Sequence, residues 1–392
     1  MVKNAELDVV IYGASGFTGR LVAEYLVQNY KDSNITWALG GRNETRIAAV
    51  RSEIGAPDDT PLIVADSSDE AAITKMVRSA RCVISTVGPY TLYGEKLVEA
   101  CAREGTDYVD LCGEVLFMRQ MIAKHEENAK KSGARIVFSC GFDSIPFDLG
   151  VQFLQEEAVK RFGAPCPRVR TRIRGMKLYP SGGSIASGKL IMDEIQKDPS
   201  LLGPLLDPFS LSGGFKGPEQ PPANLVMKDE SLDIWVAPFM MAVINVKNVH
   251  RSNALLDHAY GKDFMYDEMI IGGKGDAGKA AAETLAATRG METSGELPKP
   301  GQGPSKEERE KGFFDILVHG TTTTGETLSI AVKDNLDPGY GSTSKMLAES
   351  ALCLLEERAG TSGGILTAAP AMGADLRKRL VERADFTFEA EI

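Results

Sequence analysis

Histidine is scarce in this chain. Its four copies, His125, His250, His258 and His319, lie far apart, so no cluster has the spacing of a metal site, and no bound metal is expected. The six cysteines (Cys82, Cys101, Cys112, Cys140, Cys166, Cys353) form no CxxC pair. That pattern fits reduced, buried thiols and a cytoplasmic location. Basic charge is lacking as well. A net charge of -10 argues against nucleic acid as the main partner, because phosphate binding needs a basic face. No apolar run reaches the ~18–20 residues of a membrane span. The opening residues Met1 to Glu6 carry no apolar signal segment and run straight into a strand-like stretch. Internal repeats and low-complexity tracts are absent from the sequence.

What is present is an ordinary globular composition over 392 residues, enough for two domains. The chain is organised around residues 8–19. Val9 to Tyr12 read as a parallel strand buried on both faces. Gly13, Gly16 and Gly19 follow, and Arg20 to Val27 have helical periodicity. Strand, glycine turn and helix together offer backbone N–H groups to a diphosphate at a helix N-terminus. Gly13 permits the tight turn, Gly16 the approach of phosphate, and Gly19 close packing of helix on strand. The spacing is GxxGxxG rather than GxGxxG. Residues Gly13, Ala14, Ser15, Gly16, Phe17, Thr18 and Gly19 are the candidate dinucleotide cradle.

Strands at 7–12, 35–39, 61–65, 82–87, 107–111 and 135–140 alternate with helices near 18–29, 43–54, 68–79, 93–104 and 116–131. This is the pattern of a doubly wound parallel α/β sheet, whose ligands bind at the carboxyl ends of its strands. After the second strand comes Arg42, with Arg46 a turn later, where an NAD enzyme usually has an acid. A guanidinium suits a ribose 2′-phosphate, so NADP(H) is the expected cofactor. Asp66 follows the third strand, either capping the next helix or touching the adenine. After the fourth, Thr86, Gly88 and Pro89 should pass the nicotinamide end, with Tyr90 and Tyr93 as proton donors or aromatic walls. Glu114 reads as a helix N-terminal acid. Asp143 and Ser144 precede the helix near Pro146. Asp143 is either a cap or a polar group in the cleft, and Cys140 is a reactive thiol only if its environment lowers its pKa.

Residues 12–19, Gly88-Pro89-Tyr90 with Tyr93-Gly94-Glu95, and Gly141 to Pro146 together resemble the saccharopine dehydrogenase-like oxidoreductases, in the branch that holds the trans-acting enoyl reductases. Pro300 to Pro304 with Gly312-Phe313, Asp337 to Tyr340, and Gly363 to Thr367 extend the resemblance over nearly the whole chain. It implies an NADP-binding Rossmann domain, a second mixed α/β domain, and reduction of a C=C or C=N bond. It also implies that 338–392 returns to the first domain. The expected organisation is therefore 1–145 for the Rossmann domain with 338–392 packed on it, and 146–337 for the substrate domain. Relatives often carry an apolar segment before the Pro-Gly-x-Gly-Pro element, whereas 272–286 is small and polar here, so attachment to a lipid surface is not carried over.

In the second half, Arg168 to Gly175 alternate, with Val169, Thr171 and Ile173 on one face and four arginines on the other, which reads as a half-exposed strand with a solvated basic face or one attracting an acidic carrier. Ser181 to Gly188 open a helix. Residues 198–224 read as a long loop over an apolar surface, 235–244 as core of mixed signal, 272–311 as mobile surface, and 314–318 with 327–333 as a hairpin. The expected activity is an NADPH-dependent reduction in the interdomain cleft, with Tyr90, Tyr93 or Asp143 supplying a proton. An enoyl, lipid-like or carrier-bound small molecule is the expected substrate. An imine reductase and a non-catalytic NADP(H)-binding scaffold are the alternatives. Self-association is open.

Overall fold

The computed structural model describes residues 5–179, 181–288, 298–299, 301–356 and 362–391, with Ser184 by its backbone alone. Met1 to Asn4, Pro180, Pro300 and 289–297, on which parts of the readings above fall, lie outside the described residues. The strands in chain order are β1 (Leu7–Tyr12), β2 (Trp37–Gly41), β3 (Leu62–Val64), β4 (Ala80–Ser85), β5 (Asp107–Asp110), β6 (Arg135–Val137), β7 (Arg168–Met176), β8 (Met227–Asp229), β9 (Ile234–Pro238), β10 (Met265–Gly273), β11 (Phe314–Thr321), β12 (Thr327–Asp334), β13 (Gly364–Leu366) and β14 (Thr387–Glu391). The helices are α1 (Phe17–Tyr30), α2 (Glu44–Glu53), α3 (Glu70–Ser79), α4 (Tyr90–Tyr93), α5 (Glu95–Glu104), α6 (Val115–Ser132), α7 (Ile145–Phe162), α8 (Gly182–Lys197), α9 (Leu202–Leu206), α10 (Ala242–Leu255), α11 (Gly275–Thr288), α12 (Lys306–Glu310), α13 (Thr343–Glu356), α14 (Ala368–Ala371) and α15 (Gly373–Ala384).

Strands of near-continuous apolar sequence pair in parallel and are covered on both faces. Val9, Val10, Ile11, Val83 and Ile84 are all fully buried. The first sheet runs β13-β6-β5-β4-β1-β2-β3, all parallel. The six N-terminal strands are those read from the sequence; β13, three residues contributed from the C-terminal segment, is the edge strand that periodicity could not announce. The fold is α/β, a Rossmann-type sheet followed by a second, mixed sheet.

That second sheet runs β14-β12-β11-β7-β10-β9-β8, with β7 and β10 parallel and the other pairs antiparallel. The expected hairpin is present as β11 and β12. Two expectations are corrected. The C-terminal segment does not all return to the first sheet, because β14 pairs with β12 of the second. Residues 275–288, expected at a mobile surface, form α11, which packs where Gly272 meets Gly278 and Ala282 with no room for a Cβ. The stretch 235–244 resolves its mixed signal as β9 followed by the start of α10.

Helix α13 joins the two halves. Its buried Glu349 accepts from Tyr25 (2.8 Å), Tyr30 (2.5 Å) and Arg379 (3.0 Å), tying α1 to α15. Its last carbonyls accept from Arg81 and Arg135, cations well placed at a helix C-terminus.

Candidate active site

The end of β1 builds the first wall of the cleft. Gly13 has φ +94°, donates to the carbonyl of Gly40 (2.9 Å) and accepts from Gly16 (2.8 Å). A Cβ at Gly13 would stand 2.6 Å from Thr86 Oγ1, and one at Gly19 would stand 2.3 Å from the Gly13 oxygen. Those two glycines are fixed by packing. A Cβ at Gly16 would meet only the Gly13 oxygen, at 3.1 Å. Gly16 also stands at the N-terminus of α1, which no side chain caps. The first-turn N–H groups therefore have no side-chain cap, and the turn supplies donors of the kind a diphosphate needs. Thr86 holds the turn from the neighbouring strand end, donating its hydroxyl to Gly13 (3.2 Å). Ala14 is buried with its N–H on Gly40, and Ser15 is exposed at the rim. Thr18 is half-buried. Phe17 turns away from the cradle. Its ring meets Tyr340 edge-on at 5.1 Å, stacks near Arg20 and Arg309, and fills the space left by Gly303.

Arg42 follows β2, exposed and in no ion pair among the described residues, which leaves its guanidinium free for a phosphate. Asp66 corrects the capping expectation. It accepts from Ser68 N–H (2.8 Å) and Oγ (2.6 Å), bonds that hold its carboxyl below the usual range, while Asp69 caps α3.

The loop after β4 carries Gly88 and Pro89 into α4. Tyr90 is no proton donor to the cleft. It is buried, its hydroxyl donates to the Ser85 carbonyl (3.0 Å), and burial pushes the phenol far up. Tyr93 is 41% exposed at the end of α4. Glu114 does not cap its own helix α6. Its carboxylate accepts from Tyr90 N–H (2.9 Å), Thr91 N–H (2.8 Å), Thr91 Oγ1 (2.7 Å) and Ser187 Oγ (2.9 Å). It thus caps α4 and pins α8 across the Gly88 loop, where Ser187 lies 4.0 Å from the position of a Gly88 Cβ.

Beyond β6, the turn 139–144 is held by its backbone. Ser144 N–H donates to Ser139 (2.7 Å) and Phe142 N–H to Thr343 Oγ1 (3.0 Å). Neither Asp143 nor Ser144 caps α7 through its side chain, which corrects the cap reading. One oxygen of Asp143 is buried without a hydrogen-bond partner, and desolvation pushes its carboxyl up to about 7. Ser144 instead bonds α10: its hydroxyl lies 2.7 Å from Asn245 Oδ1 and 2.8 Å from Asn248 Nδ2. Asn245 Nδ2 lies 2.9 Å from Glu268 Oε2, and Tyr266 donates to Glu268 Oε1 (2.8 Å). Burial pushes Glu268 up to about 8. Cys140 is buried and its thiol raised, so it is not activated. The sequence reading missed α10 and Glu268. The one available signal was Asn245 and Asn248 at i, i+3, which places both on one face of a helix.

The arginines of β7 are not solvated. Arg172, 3% exposed, pairs with Asp229 (2.8 Å) and Asp267 (2.6 Å), Arg168 pairs with Asp267, and Arg174 with Asp315 (2.9 Å) and Glu391 (2.7 Å). Thr171, which reaches Tyr266 (2.9 Å), points to the opposite face.

An uncapped glycine turn on a parallel sheet and an arginine in no ion pair after the second strand are the marks of an NADP-dependent oxidoreductase. Residues 9–137 match the model of the saccharopine dehydrogenase NADP-binding domain. A Mycobacterium tuberculosis protein provisionally named a trans-acting enoyl reductase is 40% identical, over 96% of this chain and 95% of that one. The trans-acting enoyl reductase of Mycobacterium ulcerans is 38% identical, over 96% of each chain. Among solved structures, saccharopine dehydrogenase (L-Glu forming) from Saccharomyces cerevisiae shares the fold at a TM-score of 0.51 and 14% identity, over 98% of this chain and 99% of that one. The chain belongs to the saccharopine dehydrogenase-like oxidoreductases, in the branch of the trans-acting enoyl reductases, and its cofactor is NADP(H). No helix among the described residues is long and apolar enough to cross a membrane.

Proposed function

We propose that the protein uses NADPH to reduce the C=C bond of an α,β-unsaturated acyl compound. The observation that carries this reading is an acid without a partner beside a bonded cluster that, among the described residues, contains no cation. Asp143 offers an unpartnered carboxyl oxygen, and the groups bonded to its neighbour Ser144, and through Asn245 to β10, are amides, a phenol and an acid. The arginines of β7 are engaged by carboxylates on the far face of the sheet. A site for an amino or keto acid needs a cation for the substrate carboxylate. An acyl group has no such need, and the relatives' names agree with it.

When bound, the reduced nicotinamide supplies a hydride to the β-carbon. The chain's part is to seat the diphosphate on the turn at Gly13 to Gly19, hold the 2′-phosphate with Arg42, and close the loop at Gly88 and Pro89 under α8. Asp143 gives its proton to the α-carbon as negative charge develops there. A carboxyl raised to about 7 is part acid at neutral pH. Its proton-donating form is complete well below that value and is lost as pH rises through it, so kcat falls on the alkaline side. Tyr93, exposed at the mouth, is left as a wall.

The test is NADPH consumption with separate panels of enoyl thioesters, imines and ketones. Turnover confined to enoyl thioesters is the expected outcome. Turnover of imines alone would replace this reading with C=N reduction, and tight NADPH binding with no turnover of any panel would leave a scaffold.

A further inference from the structure

At the ends of β2 and β3 two opposite charges stand side by side and do not meet. The strands run parallel with Gly41 beside Val64, and the Ala65 N–H donates to the Gly41 carbonyl (3.0 Å). Arg42 and Asp66 are the first residues past that last bond. Both are exposed, and neither is in an ion pair among the described residues. Arg42 is still near enough for its charge to lower the Asp66 carboxyl. For a guanidinium and a carboxylate placed as neighbours, a charge-assisted pair is the ordinary outcome.

Asp66 is bonded elsewhere. Its Oδ1 accepts from the Ser68 N–H (2.8 Å) and from the Ser68 hydroxyl (2.6 Å), an Asx turn doubled by a side chain. The Ser68 hydroxyl is the largest of the influences that lower this carboxyl, its N–H the next, and the charge of Arg42 a weaker one. The helix that follows does not need this arrangement, because Asp69 caps α3 with two bonds of its own, to Ala71 N–H and Ala72 N–H. The turn is also held from outside. Lys96, in the first turn of α5, donates to the Ser68 carbonyl (2.5 Å) and forms no ion pair with Asp66. The turn thus keeps an acid next to Arg42 and directs it away.

That matters for the choice of cofactor. A carboxylate paired with Arg42 competes with a ribose 2′-phosphate for the guanidinium and opposes the charge of the phosphate. NADH has a hydroxyl at that position and loses little from the same pairing.

We propose that Ser68 sets the preference for NADPH over NADH by holding the Asp66 carboxylate off Arg42. Ser68 is a positioning residue, acting through Asp66 and Arg42. The proposal rests on the reading of Arg42 as the partner of the 2′-phosphate.

The test is calorimetric titration of the full-length protein with NADPH and with NADH, without substrate, on the wild type, Ser68→Ala, Asp66→Asn, the double variant D66N/S68A and Arg42→Ala. The quantity read is the ratio of the two affinities. In S68A the carboxylate keeps only the backbone N–H and turns in part to Arg42. The ratio falls about three- to tenfold, through weaker NADPH binding with NADH unchanged. In D66N the ratio stays at or above that of the wild type. In D66N/S68A it returns to the D66N value, because an amide brings no charge to the guanidinium. All variants keep the wild-type Tm, since every change lies at the surface. A ratio in S68A within twofold of the wild type overturns the proposal. So does a fall that persists in D66N/S68A, because Ser68 would then act without Asp66. Arg42→Ala separates the two readings. Lost preference in Arg42→Ala beside an unmoved ratio in S68A keeps Arg42 and rejects Ser68, whereas an unmoved ratio in Arg42→Ala rejects both.

Discussion

The two sheets have the same number of strands and hold together by different means. The first is apolar on both faces, and its polar work is done at the strand ends, by the glycine turn, Arg42, Thr86 and the loop at Gly88. The second mixes apolar and polar packing. One of its faces carries a lattice of arginines from β7 against acids from β8, β10, β11 and β14. In the first sheet, Arg42 at a strand end is in no ion pair among the described residues, and the one deeply buried pair, Arg135 with Asp107 (2.6 Å), lies at the opposite strand ends. In the second, charge is buried and engaged in structure. The same residue type stands unpaired at position 42, where we propose that it holds a phosphate, and is locked between carboxylates at position 172.

That contrast can be broken in four places. Arg172→Met leaves Asp229 and Asp267 short of a buried partner and should destabilise the fold by about 3–5 kcal/mol, read as a lower Tm or denaturation midpoint. NADPH affinity of the folded fraction should stay within about twofold, since nothing at the cradle changes. A loss of NADPH binding with intact stability would put this lattice in the site. Next, Asp143→Asn should lower kcat by about 100-fold or more and remove its alkaline decline, with NADPH affinity unchanged by calorimetry. Arg42→Ala should weaken NADPH by roughly 10- to 100-fold and leave NADH nearly untouched, with no change in Tm. The smallest effect is expected for Ser187→Ala. It removes one of four donors on Glu114 and loosens α8 over the Gly88 loop, for about 1 kcal/mol, read as a several-fold rise in KM.

The same contrast explains what the sequence made legible. The glycine turn, its strand and its helix are adjacent residues, so spacing alone carries their geometry. Arg42 was legible because its place after β2 follows from the order of elements. The arginine face of β7 was misread because alternation reports which residues share a face, not what stands beside them in register. Asp267 and Asp229 arrive from strands more than fifty residues away. Glu268 was invisible for the same reason: its link to Ser144 passes through Asn245, and 101 positions separate Ser144 from Asn245. Strands β13 and β14 are too short, at three and five residues, to show a period, and only pairing with β6 and β12 defines them. For Tyr90 the sequence leaves donor and wall both open, because a loop tyrosine looks available until the Ser85 carbonyl is found on its hydroxyl.

In the proposed reaction, hydride and proton are delivered to the two neighbouring carbons of an acyl C=C bond. The most direct test is turnover of an enoyl thioester with NADPH deuterated at the transferable position in ordinary water, and again with unlabelled NADPH in heavy water. Mass spectrometry of the saturated product should find one deuterium at the β-carbon in the first case and one at the α-carbon in the second, the second slowed in Asp143→Asn. Label carried by the cofactor to a carbon bonded to nitrogen, or no transfer to the acyl chain at all, would contradict it.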